Sequence, residues 1–249
     1  MTITSLNNDK VKELVKLKDK KYRDTNDLFF VEGKDLCDSA YENGLLRELY
    51  ILDGYDNIYD GIPYTYVSTE VMKKISDLGS ISEYYGVCSK MVEGDLGNKV
   101  LVLDDIQDPG NLGTIIRSAV AFNFDTILVS TMTVDIYNPK VVRSAKGMLF
   151  KINVMVRDLV SALKEMDDYK IYGTDVRDGI NIKDEKLPEK IAIIIGNEGK
   201  GISDKVKEMC EEFIYLDMNK ECESLNAGVS ASIIMYEVNN KWNTFLLVK

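Results

Sequence analysis

The 249-residue sequence contains no histidine at all. Histidine is the commonest general acid or base near neutral pH, so its absence excludes Ser-His-Asp and Cys-His catalysis and histidine-based metal sites. Any side chain that accepts a proton in a reaction must therefore be Asp, Glu, Lys, Tyr or an arginine in an unusual environment.

Closely spaced cysteines and long apolar runs are also missing. The cysteines at positions 37, 88, 210 and 222 form no CxxC pair, which excludes the usual zinc sites and disulfide frameworks, so we expect them to be reduced packing residues. The longest uncharged apolar run near the C-terminus, residues 224–236, is far shorter than the roughly 20 residues that cross a bilayer. The N-terminal residues do not resemble a secretory signal. We expect a cytoplasmic protein without a membrane span.

The net charge of -10 argues superficially against a nucleic-acid partner. Its distribution is uneven, however, because residues 1–34 hold eight basic and six acidic side chains and the remainder carries about -12. The lysine run in this first segment is either a solvated helix face or a contact surface for RNA. The motifs described below favour RNA.

The apolar pattern predicts two α/β domains, residues 1–95 and 96–249, joined near the sequence EGDLGN at residues 93–98. In the second domain the strands are near-continuous apolar runs, which is typical of a parallel sheet covered by helices on both faces. We predict strands at 100–103, 126–129, 152–156, 171–174, 192–195 and 213–216, and helices at 112–122, 139–148, 159–166, 203–211 and 225–242.

Three short segments rich in glycine and asparagine stand against these predicted elements. The first, LDDIQDPGNLGTIIRSA at residues 103–119, follows a strand and enters a helix near Asn111, with Arg117 further along that helix. The second, IIIGNEGKGIS at residues 193–203, delivers Gly196 and Glu198 from a buried strand; its GxxGxG spacing is neither a dinucleotide-binding motif nor a P-loop. The third, ECESLNAGVSAS at residues 221–232, begins a helix at which Ser224 or Asn226 can serve as the cap.

Taken singly, these residues have ordinary structural interpretations, such as a helix cap for Asn111, a surface cation for Arg117 and a solvated loop acid for Glu198. In this order and spacing the three segments resemble the motifs of the SpoU/TrmH family of RNA ribose 2'-O-methyltransferases, which is part of the SPOUT class. Residues 3–90, with the sequence VEGKDL, are similar to the RNA-binding domain that precedes the catalytic domain in many of these enzymes.

The resemblance implies a fold that periodicity does not reveal, a deep trefoil knot at the C-terminus that binds S-adenosylmethionine. It implies catalytic roles for a set of polar residues: Arg117, Asn111, Glu198, Ser224 and Asn226. It also implies cofactor contacts at Gly196, Leu216, Met218 and Leu225. Asp217 departs from the Ile-Pro-Met sequence that the family often has there.

Methyl transfer from a sulfonium needs no metal, because the methyl group is already electrophilic; the protein must align a ribose 2'-hydroxyl and help remove its proton. A guanidinium is normally protonated, which makes arginine an awkward base. Two roles therefore remain open: Arg117 accepts the proton, or a cationic Arg117 stabilises the developing alkoxide while a phosphate or Glu198 takes the proton.

The expected partner is RNA, with large-subunit ribosomal RNA favoured and transfer RNA as the alternative. Two other functions are a base methyltransferase of the same class and a non-catalytic RNA-binding assembly factor. The resemblance also implies a homodimer through the knotted domain, with the C-terminal helix as one interface candidate. That helix carries Ile233, Ile234, Tyr236, Val238 and Trp242, which pack either against a second copy or into the chain's own core.

Overall fold

The computed structural model describes the backbone of residues 2–247 and the side chains of residues 2–241. The chain divides into two compact units, the first formed by Met1–Val92 with Asp135–Phe150 and the second by Glu93–Val134 with Lys151–Lys249. The sequence had placed all residues after 95 in one domain. That boundary stays a prediction, while the contacts group the segment Asp135–Phe150, which we call the inserted segment, with the first unit.

The first unit is built around a mixed five-stranded sheet in the order β1-β4-β3-β5-β2. Its strands are β1 (Thr2–Ile3), β2 (Leu28–Glu32), β3 (Leu46–Leu52), β4 (Tyr64–Val67) and β5 (Tyr84–Ser89). Its helices are α1 (Asp9–Lys16), α2 (Lys20–Asn26), α3 (Lys34–Glu42), α4 (Thr69–Ile75) and, from the inserted segment, α6 (Pro139–Ala145).

The lysine-rich start of the chain forms two helices rather than one. The Asn8 side chain accepts the Lys10 amide at 2.9 Å and caps α1, whose buried face includes Val11 and Leu14. Helix α1 ends at Lys16. The Asp19 side chain then caps α2 by accepting the Lys21 amide at 2.7 Å. The sequence analysis missed this second helix, because a short polar helix leaves no apolar period.

The inserted segment packs on strand β2 through aromatic rings. Phe29 is fully buried, with its ring centroid 4.8 Å from that of Tyr137 and 5.8 Å from that of Phe150. In the sequence between these two rings, Asn138 caps α6 and Pro139 occupies its first turn. Tyr137 and Phe150, which lie near the two ends of the inserted segment, therefore both pack against Phe29.

The second unit contains a seven-stranded sheet in which every pair is parallel, in the order β10-β12-β9-β11-β6-β7-β8. The strands are β6 (Lys99–Leu103), β7 (Thr126–Ser130), β8 (Asn153–Arg157), β9 (Lys170–Thr174), β10 (Ile180–Asn181), β11 (Ile191–Ile195) and β12 (Glu212–Tyr215). The helices are α5 (Pro109–Ala121), α7 (Leu159–Lys164), α8 (Asp204–Lys207) and α9 (Ala227–Leu247). The predicted parallel α/β architecture is confirmed; α8 is shorter than predicted, and the two-residue β10 was not foreseen.

Both faces of the central strands are covered, which explains their continuous apolar sequences. Val100 and Val102 pack with residues of α7 and α8 in one core cluster. Leu101 and Leu103 point to the opposite face and are equally buried.

Helices α5 and α9 pack side by side, with contacts that recur every four residues along both. Successive contacts join Thr114 to Gly228, Ser118 to Ser232 and Phe122 to Tyr236. Because Gly228 at the first of these contacts has no side chain, the start of α9 can approach α5 closely. Among the described residues, no helix combines the length and the apolar character that a bilayer crossing requires.

Candidate active site at the carboxyl edge of the parallel sheet

The three glycine- and asparagine-rich segments meet where the strand order reverses. The chain leaves β6 toward β7 and β8 on one side, whereas β11 pairs with β6 on the other side and β9 lies beyond β11. In open α/β sheets such a reversal, at the carboxyl ends of the strands, is the usual place for a ligand. The first segment follows β6 and the second follows β11, so both reach this point.

The start of α5 is held by Asp108 rather than by Asn111. The Asp108 side chain accepts the Asn111 amide N–H at 2.8 Å, and Pro109 occupies the first turn. The sequence had placed the helix start at Asn111. Because Asp108 performs the capping, the Asn111 side chain is free to serve another purpose, although it is buried.

Asn111 links the other two segments. Its Nδ2 donates to Glu198 Oε1 at 3.0 Å, and its Oδ1 accepts from Nδ2 of Asn226 at 2.9 Å. The Oδ1 of Asn226 in turn accepts the Val229 amide at 3.2 Å and caps α9. One residue from each segment therefore joins a single hydrogen-bonded chain, which we call the amide–carboxylate chain.

Glu198 is held as a carboxylate at the end of this chain. Besides Asn111, the backbone amides of Gln107 and Asp108 donate to it at 3.3 Å each. Partial burial raises the pKa of Glu198, but these donated hydrogen bonds outweigh burial and lower its pKa below the ordinary value. Glu198 is exposed to solvent, but three N–H groups hold its carboxylate in place, so it is not a freely moving loop acid.

Hydrogen bonds within the second segment hold its turn in a tight conformation. Asn197 and Gly201 exchange two backbone hydrogen bonds of 3.0 and 2.9 Å, and the Asn197 side chain accepts the Gly199 amide. A Cβ atom on Gly196 would lie 2.2 Å from the backbone of Gly201 and Ile202. Position 196 requires glycine because the backbone of Gly201 and Ile202 lies too close for a side chain. The sequence analysis instead assigned Gly196 to a contact with the cofactor.

A cavity of about 370 Å³ opens beside the turn, at the carboxyl ends of β9, β11 and β12. It contains all four residues predicted to contact a cofactor: Gly196, Leu216, Met218 and Leu225. Ser224 and Glu198 also line it. A volume of this size suits a ligand of nucleoside dimensions.

Besides Glu198, three charged residues line this cavity, Asp175, Lys200 and Lys207, and the sequence analysis assigned none of them to a site. Asp175 immediately follows β9, a position that could have indicated it. Burial raises the pKa of Asp175, but the backbone amides of Arg177, Asp178 and Val176 lower it below its ordinary value. The cavity thus offers a carboxylate and an ammonium at its wall.

Arg117 is not part of the amide–carboxylate chain. It lies on the exposed side of α5, and among the described residues its side chain has no hydrogen bond or ion pair. Ser224 is also exposed, although it borders the cavity. The structure therefore brings Asn111, Glu198 and Asn226 together and leaves Arg117 facing outward.

Comparison with known proteins agrees with this architecture. The model of the SpoU rRNA methylase family matches residues 98–236, which is more than half of the chain. The chain belongs to this family. Membership assigns it to the SPOUT class of RNA 2'-O-ribose methyltransferases, as the three motifs implied. The model of the MRM3-like substrate binding domain matches residues 8–80.

Individual proteins also match over nearly the whole chain. The 23S rRNA (guanosine(2553)-2'-O)-methyltransferase RlmP of Bacillus subtilis is 34% identical over 95% of this chain and 98% of its own. A crystal structure of an RNA 2'-O ribose methyltransferase is 26% identical, covers 97% of this chain and 99% of its own, and superposes with a TM-score of 0.83. An AdoMet-bound rRNA methyltransferase from Sinorhizobium meliloti, 22% identical over 96% and 97% of the two chains, shares the fold with a TM-score of 0.85.

Proposed function

We propose that this protein transfers a methyl group from S-adenosylmethionine to a ribose 2'-hydroxyl of large-subunit ribosomal RNA, in the cytoplasm. The observation that carries the proposal is the amide–carboxylate chain, in which Glu198, Asn111 and Asn226 come from three distant segments and meet beside the cavity. The B. subtilis relative, which acts on 23S rRNA and aligns over 95% of this chain, supports the choice of RNA.

The cavity residues fit S-adenosylmethionine in size and chemistry. Leu216, Met218 and Leu225 supply apolar walls, and the backbone at Gly196 supplies hydrogen-bonding groups. Asp175 and Lys207 supply opposite charges, which suits a ligand with an ammonium and a carboxylate. When bound, the cofactor provides an electrophilic methyl group.

Glu198 is better suited to positioning than to accepting a proton. Three N–H groups, from Asn111, Gln107 and Asp108, already donate to its two oxygens. A carboxylate held in this way with a lowered pKa is a weak base, but a firm anchor for the amide of Asn111. Of the roles left open by the sequence, this geometry favours Glu198 as an orienting group and leaves the ribose hydroxyl to Arg117.

The outward position of Arg117 supports a homodimer through the α5–α9 face of the second unit. On α9 the side chains of Val229, Ile233 and Tyr236 form an apolar stripe and are 46%, 38% and 49% exposed. A second copy packed on this stripe would enclose Arg117 within an interface. Ile234 and Val238 are buried in the protomer and belong to its own core, and the side chain of Trp242 lies outside the described residues.

The C-terminal trefoil knot implied by the family resemblance is part of the same proposal. The start of α9 lies against α5 through Gly228 and carries Asn226 to the site, which is the placement that a threaded C-terminal segment would need.

Incubation of the protein with methyl-labelled S-adenosylmethionine and unmodified 23S rRNA or transfer RNA tests the function. We expect label at one ribose of 23S rRNA. We expect the rate to fall by about 10²- to 10⁴-fold in Arg117→Ala, with cofactor affinity unchanged, because a group that handles the transferred proton contributes that much. Label only in transfer RNA, or on a base, would overturn the proposed substrate; cofactor binding without any transfer would favour an assembly factor.

A further inference from the structure

The first unit carries a continuous cationic surface on three separate parts of the chain, in a protein whose net charge is -10. We call it the basic face. Its residues are Lys16, Lys18, Lys20 and Lys21 from the α1–α2 region, Lys73 and Lys74 from α4, and Lys140, Arg143 and Lys146 from the inserted segment.

The α1–α2 region and the end of α4 are joined by Lys18. Its ammonium donates to the carbonyl oxygen of Lys74 at 3.3 Å and to that of Ser76 at 2.5 Å. These carbonyls terminate α4, so the contact also complements the negative end of that helix. Lys73 and Lys74, both exposed, therefore lie beside the lysines of the α1–α2 region.

The end of α4 is joined in turn to the inserted segment. The guanidinium of Arg143 donates to the Asp77 carboxylate at 3.2 and 3.3 Å, directly after the α4 terminus. Lys140 lies three residues before Arg143 on α6, so the two share one side of the helix, and Lys146 follows at the helix end.

A third contact, which is buried, joins α2 directly to the inserted segment. Arg23 of α2 is 2% exposed; it pairs with Asp135 and also donates to the carbonyl oxygens of Leu17 and Lys18 at 2.8 and 2.9 Å. Asp135 opens the inserted segment, so the pair fixes α2 beside the chain that leads to Lys140. The three parts of the basic face are thus held together by specific contacts.

Most of the cations on this face are available to a ligand. Within the described part of the chain, the ammonium groups of seven lysines make no hydrogen bond or ion pair: Lys16, Lys20, Lys21, Lys73, Lys74, Lys140 and Lys146. Three neighbouring carboxylates are engaged elsewhere, because Asp77 and Asp135 are paired with arginines and Asp19 caps α2, whereas Glu70 on α4 interacts electrostatically with Lys73. The ammonium of Lys16 lies 5.7 Å from the ring centre of Tyr22, so an aromatic ring accompanies this cation on the basic face.

We propose that α6, which lies outside the residues matched by the substrate binding domain, extends that domain's RNA-binding surface, and that the basic face formed in this way contacts the phosphate backbone of the RNA substrate. The inference rests on the proposed function. An acidic protein that binds a polyanion needs its positive charges concentrated and unpaired, and phosphate contacts are made mainly by lysine and arginine. The inserted segment supplies a third of this surface although it lies, in sequence, between β7 and β8 of the parallel sheet.

Two variants and a matched control test the proposal on the full chain. The first is Lys16→Gln, Lys20→Gln, Lys21→Gln, and the second is Lys140→Gln, Lys146→Gln. The control is Lys183→Gln, Lys186→Gln, which removes two exposed lysines of the second unit. Binding of an unmodified 23S rRNA transcript is measured at a series of salt concentrations, together with kcat and KM for methyl transfer and the melting temperature.

Both basic-face variants should bind RNA more weakly and with a smaller salt dependence. The slope of log Kd against log salt should fall by about 0.7 to 0.9 for each lysine that contacts a phosphate. KM for RNA should rise while kcat and the melting temperature stay as in the unmutated protein, and the control should behave like the unmutated protein.

An unchanged slope in both variants would overturn the proposal. A reduced slope in the first variant alone would confine RNA binding to the N-terminal helices and refute the role of α6. If the unmutated protein binds the transcript but transfers no methyl group to it, the proposed function fails, while the salt slopes still decide whether the basic face binds RNA.

Discussion

The two compact units use their polar side chains in opposite ways. In the second unit, Asn111 is hydrogen-bonded to both Glu198 and Asn226, so each of the three side chains is fixed by a neighbour. On the basic face of the first unit, exposed lysines are left without partners among the described residues. Aligning a hydroxyl with a methyl group requires fixed geometry, whereas capturing a long polyanion requires accessible charge. The following variants test whether this contrast holds.

The largest expected effect concerns the buried ion pair between Arg23 and Asp135, which holds the inserted segment to α2. Asp135→Ala should lower the free energy of unfolding by about 3 to 5 kcal/mol, because it leaves the buried Arg23 guanidinium without its counter-ion. Urea denaturation measures the change. Asp24→Ala is the control, since the Asp24 carboxylate is 48% exposed in its pair with Lys90 and should contribute only about 1 kcal/mol. A loss in Asp135→Ala of no more than about 1 kcal/mol would show that this ion pair does not hold the segment in place.

The next effect concerns the turn that borders the cavity. Gly196→Ala should destabilise the protein by about 1 to 3 kcal/mol and weaken S-adenosylmethionine binding, because the added Cβ would lie 2.2 Å from the neighbouring backbone. Gly199→Ala should be nearly neutral, since its Cβ would meet only the Asn197 side chain at 3.7 Å. Calorimetric titration and thermal unfolding measure both; normal cofactor affinity in Gly196→Ala would contradict the described turn.

A smaller effect is expected from coupling along the amide–carboxylate chain. In a double-mutant cycle, Asn111→Ala and Asn226→Ala should be non-additive by about 0.5 to 3 kcal/mol in unfolding free energy, because each removes the partner of the other. Asn123→Ala and Asn239→Ala form the comparison cycle, since this pair is bonded at 3.1 Å between the exposed residue Asn123, just after α5, and the half-buried Asn239 on α9. A coupling no larger than that of the comparison pair would mean that the chain does not act as a unit.

The smallest effect is a pH dependence of stability due to Glu198. Its pKa is lowered in the folded protein, so its contribution is present above the unfolded value and is lost as the pH falls through the folded value. The difference in unfolding free energy between the unmutated protein and Glu198→Gln should therefore be constant above about pH 6 and shrink in more acidic solution. A difference that grew as the pH fell would reverse the assigned direction of the shift.

The sequence predicted most of the second unit because its buried strands leave continuous apolar runs, such as Ile191–Ile195. The motif spacing also singled out Asn111, Glu198 and Asn226, which the structure brings together, while their catalytic roles stay a prediction. It did not reveal that Asp108 caps α5, because Asp and Asn are equivalent capping residues. Nor could it assign α6 to the first unit: an amphipathic pattern shows that a helix is half buried, but not against which core.

The chain crosses between the two compact units three times, after residues 92, 134 and 150. During vectorial synthesis on a ribosome, the first unit cannot close until Phe150 has left the exit tunnel, by which time β6, α5 and β7 of the other unit have already emerged. The two units must therefore mature concurrently rather than in succession. For the same reason, cutting the gene at the linker would not yield two self-sufficient fragments.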